Sequence, residues 1–310
     1  MKLQGNNGCF NLTKQIWRMH DTRNMIRNIA CVMLFCFLFP CVLYSTEYAD
    51  SPSAQNPLNL TYKSTLVGMG GASVYDSYLS PMKYTGTGIG LIYEEMKRTG
   101  LSKGRIFSQQ LFFLEASDTR NPAGTAASYS GMLNYDYGLF YRFQPVGKLR
   151  LSAGMQADGL LGFIYNLRNG NNYASAKFHL NLNLSGMATY MFRIKKQPIR
   201  LRYQLNIPTA GVLFSPDFGQ SYYEIGMGKN NDLFHFASFH NQLIVRNLLS
   251  VELPFKICTV RLAYMNNLYE TQINQLKTHL ASNTFYIGLS KQFVVVSERK
   301  PNKSYINVFE

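Results

Sequence analysis

Residues 177–194 read KFHLNLNLSGMATYMFRI. Phe178, Leu180, Leu182, Leu184, Gly186, Ala188, Tyr190, Phe192 and Ile194 fall on one side of an alternation. Lys177, His179, Asn181, Asn183, Ser185, Thr189 and Arg193 fall on the other. Successive side chains of a β-strand point to opposite faces, whereas a helix gathers residues three and four apart and would mix the two sets. The run is far longer than the ~5–6 residues usual in globular sheets, and aromatics stand near both ends of its apolar face. A long strand with one apolar and one polar face, flanked by aromatics, is the unit of a transmembrane β-barrel.

The composition fits that unit. The chain has 310 residues, enough for one barrel or two modest globular domains. Its mean hydropathy is −0.13, as expected where only every second strand residue is apolar. Tyr and Phe number 21 each against one Trp, a supply for aromatic girdles at the membrane interfaces. The competing expectation is a soluble secreted β-sandwich or lipocalin-like binding protein, with the apolar set turned inward. Formal charge is +14, but residues 1–45 hold five basic residues and one acidic, leaving 26 against 16, or +10, in the rest. Those charges are dispersed over strands and turns without a nucleic-acid-binding motif, so no nucleic acid partner is expected. Cys9, Cys31, Cys36 and Cys41 share the N-terminal segment and leave Cys258 alone. An intrachain disulfide and a cysteine zinc site are thereby excluded from the mature chain, and neither a metal nor another cofactor is expected.

In chain order, 1–45 reads as a secretory signal peptide: Arg27 begins it, 29–43 is its apolar core, cleavage falls after Ser45, and Met25 is an alternative start. Residues 46–59 form a periplasmic lead-in, 60–296 the barrel and 297–310 a C-terminal tail. Within the barrel, short basic interruptions at 98–104, 144–148, 195–198 and 255–258 alternate with long ones at 71–85, 117–129, 166–175, 214–242 and 266–283. Nine interruptions separate ten strands, an even number that returns both termini to one side. Short turns are periplasmic in outer-membrane barrels, which assigns the termini to the periplasm. The expected fold is therefore all-β, an up-and-down antiparallel transmembrane barrel of about ten strands after a cleavable signal helix. The expected place is the outer membrane of a Gram-negative bacterium, reached by Sec export.

Three stretches carry a resemblance: 165–172, YNLRNGNN; 201–208, LRYQLNIP; and 214–224, FSPDFGQSYYE. They resemble an exported Gram-negative family of outer-membrane barrels catalogued only as a domain of unknown function. The resemblance spans roughly 64–293 and brings no activity and no site residue with it.

Candidate chemistry is sparse. Asp232, His235, Ser238 and His240 have the residue types of a hydrolytic site at the extracellular rim. Histidines five apart in an extended segment point to opposite faces, so no catalytic residue is assigned. A lipid or peptide hydrolase stays as the alternative to a structural, binding or narrow-transport barrel with a mostly filled lumen. Gly68, Gly70 and Gly71 lack the helix start and Lys of a phosphate loop, and close backbone packing is expected there instead. The aromatics of 214–242 are expected to fold over the mouth and pack on each other. Pairing residues equidistant from each short turn sets Arg142 opposite Arg150, Arg193 opposite Arg200 with Arg202 next, and Glu252 opposite Arg261. Like charges in register call for an anion. Glu94, Asp136 and Asp158 supply one from within; otherwise Arg142, Arg150, Arg193, Arg200 and Arg202 form a site for an anionic small ligand or periplasmic partner at the periplasmic end of the lumen. The other expected partners are outer-membrane lipid and the barrel assembly machinery, which would read the apolar closing strand through Phe285, Ile287, Leu289 and Phe293. The barrel is expected to be a monomer.

Overall fold

The computed structural model describes residues 60–294 apart from 144–145, 169, 171, 195–196, 229–231 and 256–257. The expected signal segment with Met25, the lead-in and the tail lie outside the described residues. Eleven strands follow in order: β1 (Leu60–Asp76), β2 (Ser80–Arg98), β3 (Ile106–Arg120), β4 (Ala127–Arg142), β5 (Leu149–Asn166), β6 (Ala174–Ile194), β7 (Gln197–Phe214), β8 (Phe234–Ser238), β9 (Gln242–Pro254), β10 (Thr259–Ile273) and β11 (Leu276–Val294). A short helix, α1 (Tyr222–Gly226), lies between β7 and β8. All strands but β8 close into one antiparallel ring, β1 to β7, then β9, β10, β11 and back to β1. Residues Arg200–Asn206 of β7 pair with β9, while Ala210–Phe214 pair with β8 instead.

A path of paired residues leaves β6 at Gly186, circles the ring and returns to β6 at Ala174, twelve residues away. Such a stagger is what closure requires, and it tilts the strands by roughly 40°. Along β6, Leu180, Leu182 and Leu184 are exposed, while His179, Asn181, Asn183 and Ser185 are buried. Leu133, Tyr135, Tyr137 and Leu139 of β4 are likewise exposed, with Asn134 and Asp136 buried between them. The apolar set thus faces outward, the reverse of the sandwich and lipocalin expectation. A closed sheet satisfies its own backbone, and with an apolar exterior it spans a bilayer.

The ten strands stand where their patterns placed them, but their ends do not. The expected loops 71–85, 117–129, 166–175 and 266–283 shrink to 77–79, 121–126, 167–173 and 274–275; only 215–241 stays long. Ladder pairing continues through Gly71–Asp76 and Leu276–Asn283, whose outward positions include Gly71, Ser73, Lys277, His279 and Asn283. At the tip of β10 and β11, Asn274 and Gln275 both adopt positive φ, 51° and 64°, the two-residue turn that matches strand twist. The end with the termini and the connections 99–105, 143–148, 195–196 and 255–258 is called the turn end below, and the other the loop end.

Register also departs from expectation at two turns. Arg142 pairs with Ser152, not Arg150, because the hairpin tip is Gly147-Lys148, closed by mutual Val146 and Leu149 backbone bonds of 3.0 Å with Gly147 at φ +59°. Arg193 pairs with Pro198, and Arg200 with Met191, because Ile194 already pairs with Gln197. Glu252 does pair with Arg261.

Candidate functional site: a filled lumen with two mouths

The lumen is filled in tiers. Nearest the turn end, Phe107 stacks on Phe140 with centroids 5.3 Å apart, packed with Met187 and Met96. Beside them Glu252 accepts from the Tyr62 hydroxyl at 2.6 Å and from Arg200 Nη1 at 2.8 Å. The next tier centres on Glu94, which has no solvent exposure. It accepts from Arg202 Nη2 at 2.6 Å, from Gln109 Nε2 at 2.5 Å and from Arg261 Nη1. Arg261 also donates to Ser64 Oγ at 2.6 Å and Ser250 Oγ at 3.2 Å. From Gln109 the network crosses to Gln204 at 2.9 Å and is reached by Gln156 Nε2 at 3.0 Å. Ser185 Oγ ties Gln156 to Asn206, at 2.5 and 2.9 Å. β2, β3, β5, β6, β7 and β10 are thus joined across the axis by ion pairs and amides, with Arg261 Nε left without a partner among the described residues.

Above lies a second charge group. Arg246 donates to Asp136, and to Asn134 Oδ1 at 2.9 Å, with its guanidinium 4.3 Å from the centre of the Phe113 ring. Asp158 accepts from Asn134 Nδ2 at 2.6 Å and Asn183 Nδ2 at 3.1 Å, and lies 3.3 Å from His179 Nε2. The rest of this tier is apolar: Leu66, Ile92, Leu111, Phe113, Leu248, Met265 and Tyr286 form one buried cluster. Tyr286 needs two glycines. A Cβ on Gly68 would stand 2.5 Å from its ring, and one on Gly90 2.2 Å from its hydroxyl, so the packing reading of Gly68 holds.

Toward the loop end the filling thins to a cavity of about 50 Å³. Its polar lining includes Glu115, His179, Arg246, Asn267, Tyr269 and Ser282, and its apolar lining includes Val74, Met132, Leu160, Ile244 and Leu280. Glu115 accepts from Ser282 Oγ at 2.9 Å, whereas His179 Nδ1, Arg246 Nε and Asn267 Oδ1 have no hydrogen-bond partner among the described residues. Lys177 lies farther toward the loop end, 2.9 Å from Asp76 and donating to Thr278 Oγ1 at 2.8 Å. Tyr78 in the 77–79 turn packs edge-on against Tyr222 of α1 and donates to the Gln220 carbonyl at 2.8 Å. Burial pushes the Tyr78 hydroxyl up to about 12.

The aromatics of the long loop do not fold over the mouth together. Phe218, Tyr223, Phe234, Phe236 and Phe239 are all more than half exposed. β8 extends the sheet from β7, so Phe234 and Phe236 project outward, with Phe234 near Phe178 and Phe214. His235 and Ser238 do not meet: His235 Nε2 is 3.3 Å from the Ser215 carbonyl oxygen, while Ser238 Oγ donates to the Thr209 carbonyl at 3.0 Å. Among the described residues no three His, Cys, Asp or Glu side chains gather to hold a metal.

The five predicted arginines divide between the interior and the turn-end rim. Arg202 is bound to Glu94 and Arg200 to Glu252. Arg142 lies 5.1 Å over the Phe107 ring, and Arg150 and Arg193 are exposed. Glu94, Asp136 and Asp158 do serve as internal anions, but their chief partners include Arg261 and Arg246. Arg261 was signalled by its register with Glu252; Arg246 gave no local signal beyond standing on the polar face of a weakly patterned strand.

The family described as "Protein of unknown function (DUF3316)" matches residues 32–300. The chain belongs to this family. No curated protein matches it. Among solved structures, this DUF3316 member is similar to the transport unit of the autotransporter AIDA-I from Escherichia coli, at 8% identity over 80% of this chain and 94% of that one, with a TM-score of 0.45. It is similar to the translocator domain of the autotransporter NalP from Neisseria meningitidis, at 10% identity over 76% and 90%, TM-score 0.35. An outer membrane channel from Pseudomonas putida F1 gives 9% identity over 80% and 100%, TM-score 0.33. At these scores the likeness assigns no role.

Proposed function

We propose that this protein is a sealed, monomeric barrel of the Gram-negative outer membrane, exported by a signal segment within 1–45, that binds at its mouths and does not conduct. The observation that carries this reading is the Glu94 tier. A carboxylate held by two guanidiniums and extended by three glutamines lies across the lumen, and parting it to admit a water path would strand buried charges. Below it the Phe107–Phe140 stack is a second, apolar barrier. Binding suits the loop end, where the cavity pairs an apolar wall with the unpartnered atoms of His179, Arg246 and Asn267. A cavity of this size takes a few waters or one small group of a larger ligand. The test is a planar-bilayer recording with the refolded barrel: a flat baseline is expected, and stable porin-sized steps would overturn the reading.

A further inference from the structure

The turn end concentrates positive charge. Among the described residues, the last six of each ring strand at that end, with the connections between them, hold thirteen Lys and Arg against three carboxylates. All three carboxylates are engaged: Glu94 by Arg202 and Arg261, Glu95 by Lys63 at 3.4 Å, and Glu252 by Arg200. Alternation turns part of this charge into the lumen. Arg142 continues the buried face of Asn134, Asp136 and Phe140, Arg150 that of Ser152 and Gln156, and Arg200 that of Arg202 and Gln204. Neither Arg142 nor Arg150 has a carboxylate partner among the described residues, and the Phe107–Phe140–Met187 cluster floors the space between them and the Glu94 tier.

We propose that this rim is an oxyanion site, in which Arg142, Arg150 and Arg200 bind a phosphate group presented at the turn end. Guanidinium forks carried on the inward face of three strands, Arg200 with the donors that Glu252 leaves free, match the several acceptor oxygens of a phosphate, and an anion there offsets the positive charge of the rim. Phe107 holds the Arg142 guanidinium by its face, which pre-orients the fork. The same chemistry occurs in a phospholipid headgroup and in a soluble phosphate compound. The site does not depend on whether the lumen conducts.

The test is calorimetry of inorganic phosphate against the refolded full chain in uncharged detergent. The intact barrel should bind one equivalent. Arg142→Gln with Arg150→Gln should weaken binding at least tenfold, and Arg150→Gln alone, at an exposed position, severalfold with folding intact. Lys83→Gln with Lys277→Gln changes the same net charge at the loop end, where both side chains are exposed, and should leave affinity unchanged. Absence of binding in the intact protein, indifference to Arg150→Gln, or an equal loss with the lysine pair would overturn the proposal. Doping the micelles with phosphatidylglycerol then separates the sources: competition with phosphate supports a headgroup, and unchanged phosphate binding supports a soluble ligand.

Discussion

Replacing Glu94 with Gln keeps the shape of the central tier and removes its charge. In the native lumen Glu94 and Arg261 are fully buried and Arg202 nearly so, and both guanidiniums depend on this carboxylate. Removing one partner of a buried ion pair costs about 3–5 kcal/mol, because the other charge is left uncompensated. Two cations are stranded here, which puts the expectation at the top of that range, about 5 kcal/mol. The two losses share one anion and do not simply add. Glu95→Gln on the outer face of the same strand is the control: it meets Lys63 at 3.4 Å with both side chains partly exposed, and such pairs are worth ~0–1 kcal/mol. Residues 60–294 contain no Trp, so urea titrations in lipid vesicles should be read by the gel-mobility difference between folded and unfolded barrel. If Glu94→Gln and Glu95→Gln unfold at the same urea concentration, the tier is not held by its charges and the sealing argument fails with it.

Three further outcomes are expected. Leu184→Arg places a charge on the exposed outer face of β6 and should destabilise the barrel in a bilayer by roughly 2–4 kcal/mol, but have little effect in detergent; equal effects in both media would contradict the assignment of faces. Gly90→Ala should cost about 1–3 kcal/mol by overpacking against Tyr286, and Tyr286→Leu in the same chain should restore most of it in the same titration. The Tyr78 hydroxyl is raised above its ordinary value of 10 to about 12, so the contribution of its docking is complete below pH 10 and is lost as pH rises through about 12. Phenolate absorbance should show one group fewer titrating near 12 in Tyr78→Phe, and that variant, lacking the bond to Gln220, should be cut faster by protease within 215–241 at neutral pH.

Much of the wall was legible because lipid imposes a simple rule on it. In β4, β5, β6 and the lower half of β7, every second residue must be apolar, and Tyr137, Met155, Leu184 and Tyr203 obey. Near the loop end the outer face no longer has to be apolar, so Ser73, Thr85, Gln272 and Lys277 can stand on well-formed strands while reading as loop. β8 was missed for a related reason: five residues on the edge of a loop carry too little alternation. At the turns the sequence located the hairpins but not their tips. Gly147-Lys148 and the two residues 195–196 each moved the register by two, which separated the expected Arg142–Arg150 and Arg193–Arg200 pairs. Glu94, Asp136 and Asp158 were recognisable as internal anions by their inward parity. Which arginine each would meet depended on contacts across the lumen, such as Glu94 with Arg261, 167 residues away in the chain, and strand patterns hold no information about those.

The β1–β11 seam also dictates an order of events. It joins Leu60 to Val294 and Asp76 to Thr278, the two extremes of the barrel chain, so it pays the largest loop-closure entropy of any strand pair and is the pairing expected to form late. Until it forms, β1 and β11 are bare edges open to wrong partners. Glu94 on β2 is then still apart from Arg202 on β7 and Arg261 on β10. A half-built wall entering lipid would carry one unpaired carboxylate and two unpaired guanidiniums, and the membrane would resist it until the ring is drawn shut. The network that crosses the lumen of the finished barrel therefore penalises partial insertion and favours chains that close first.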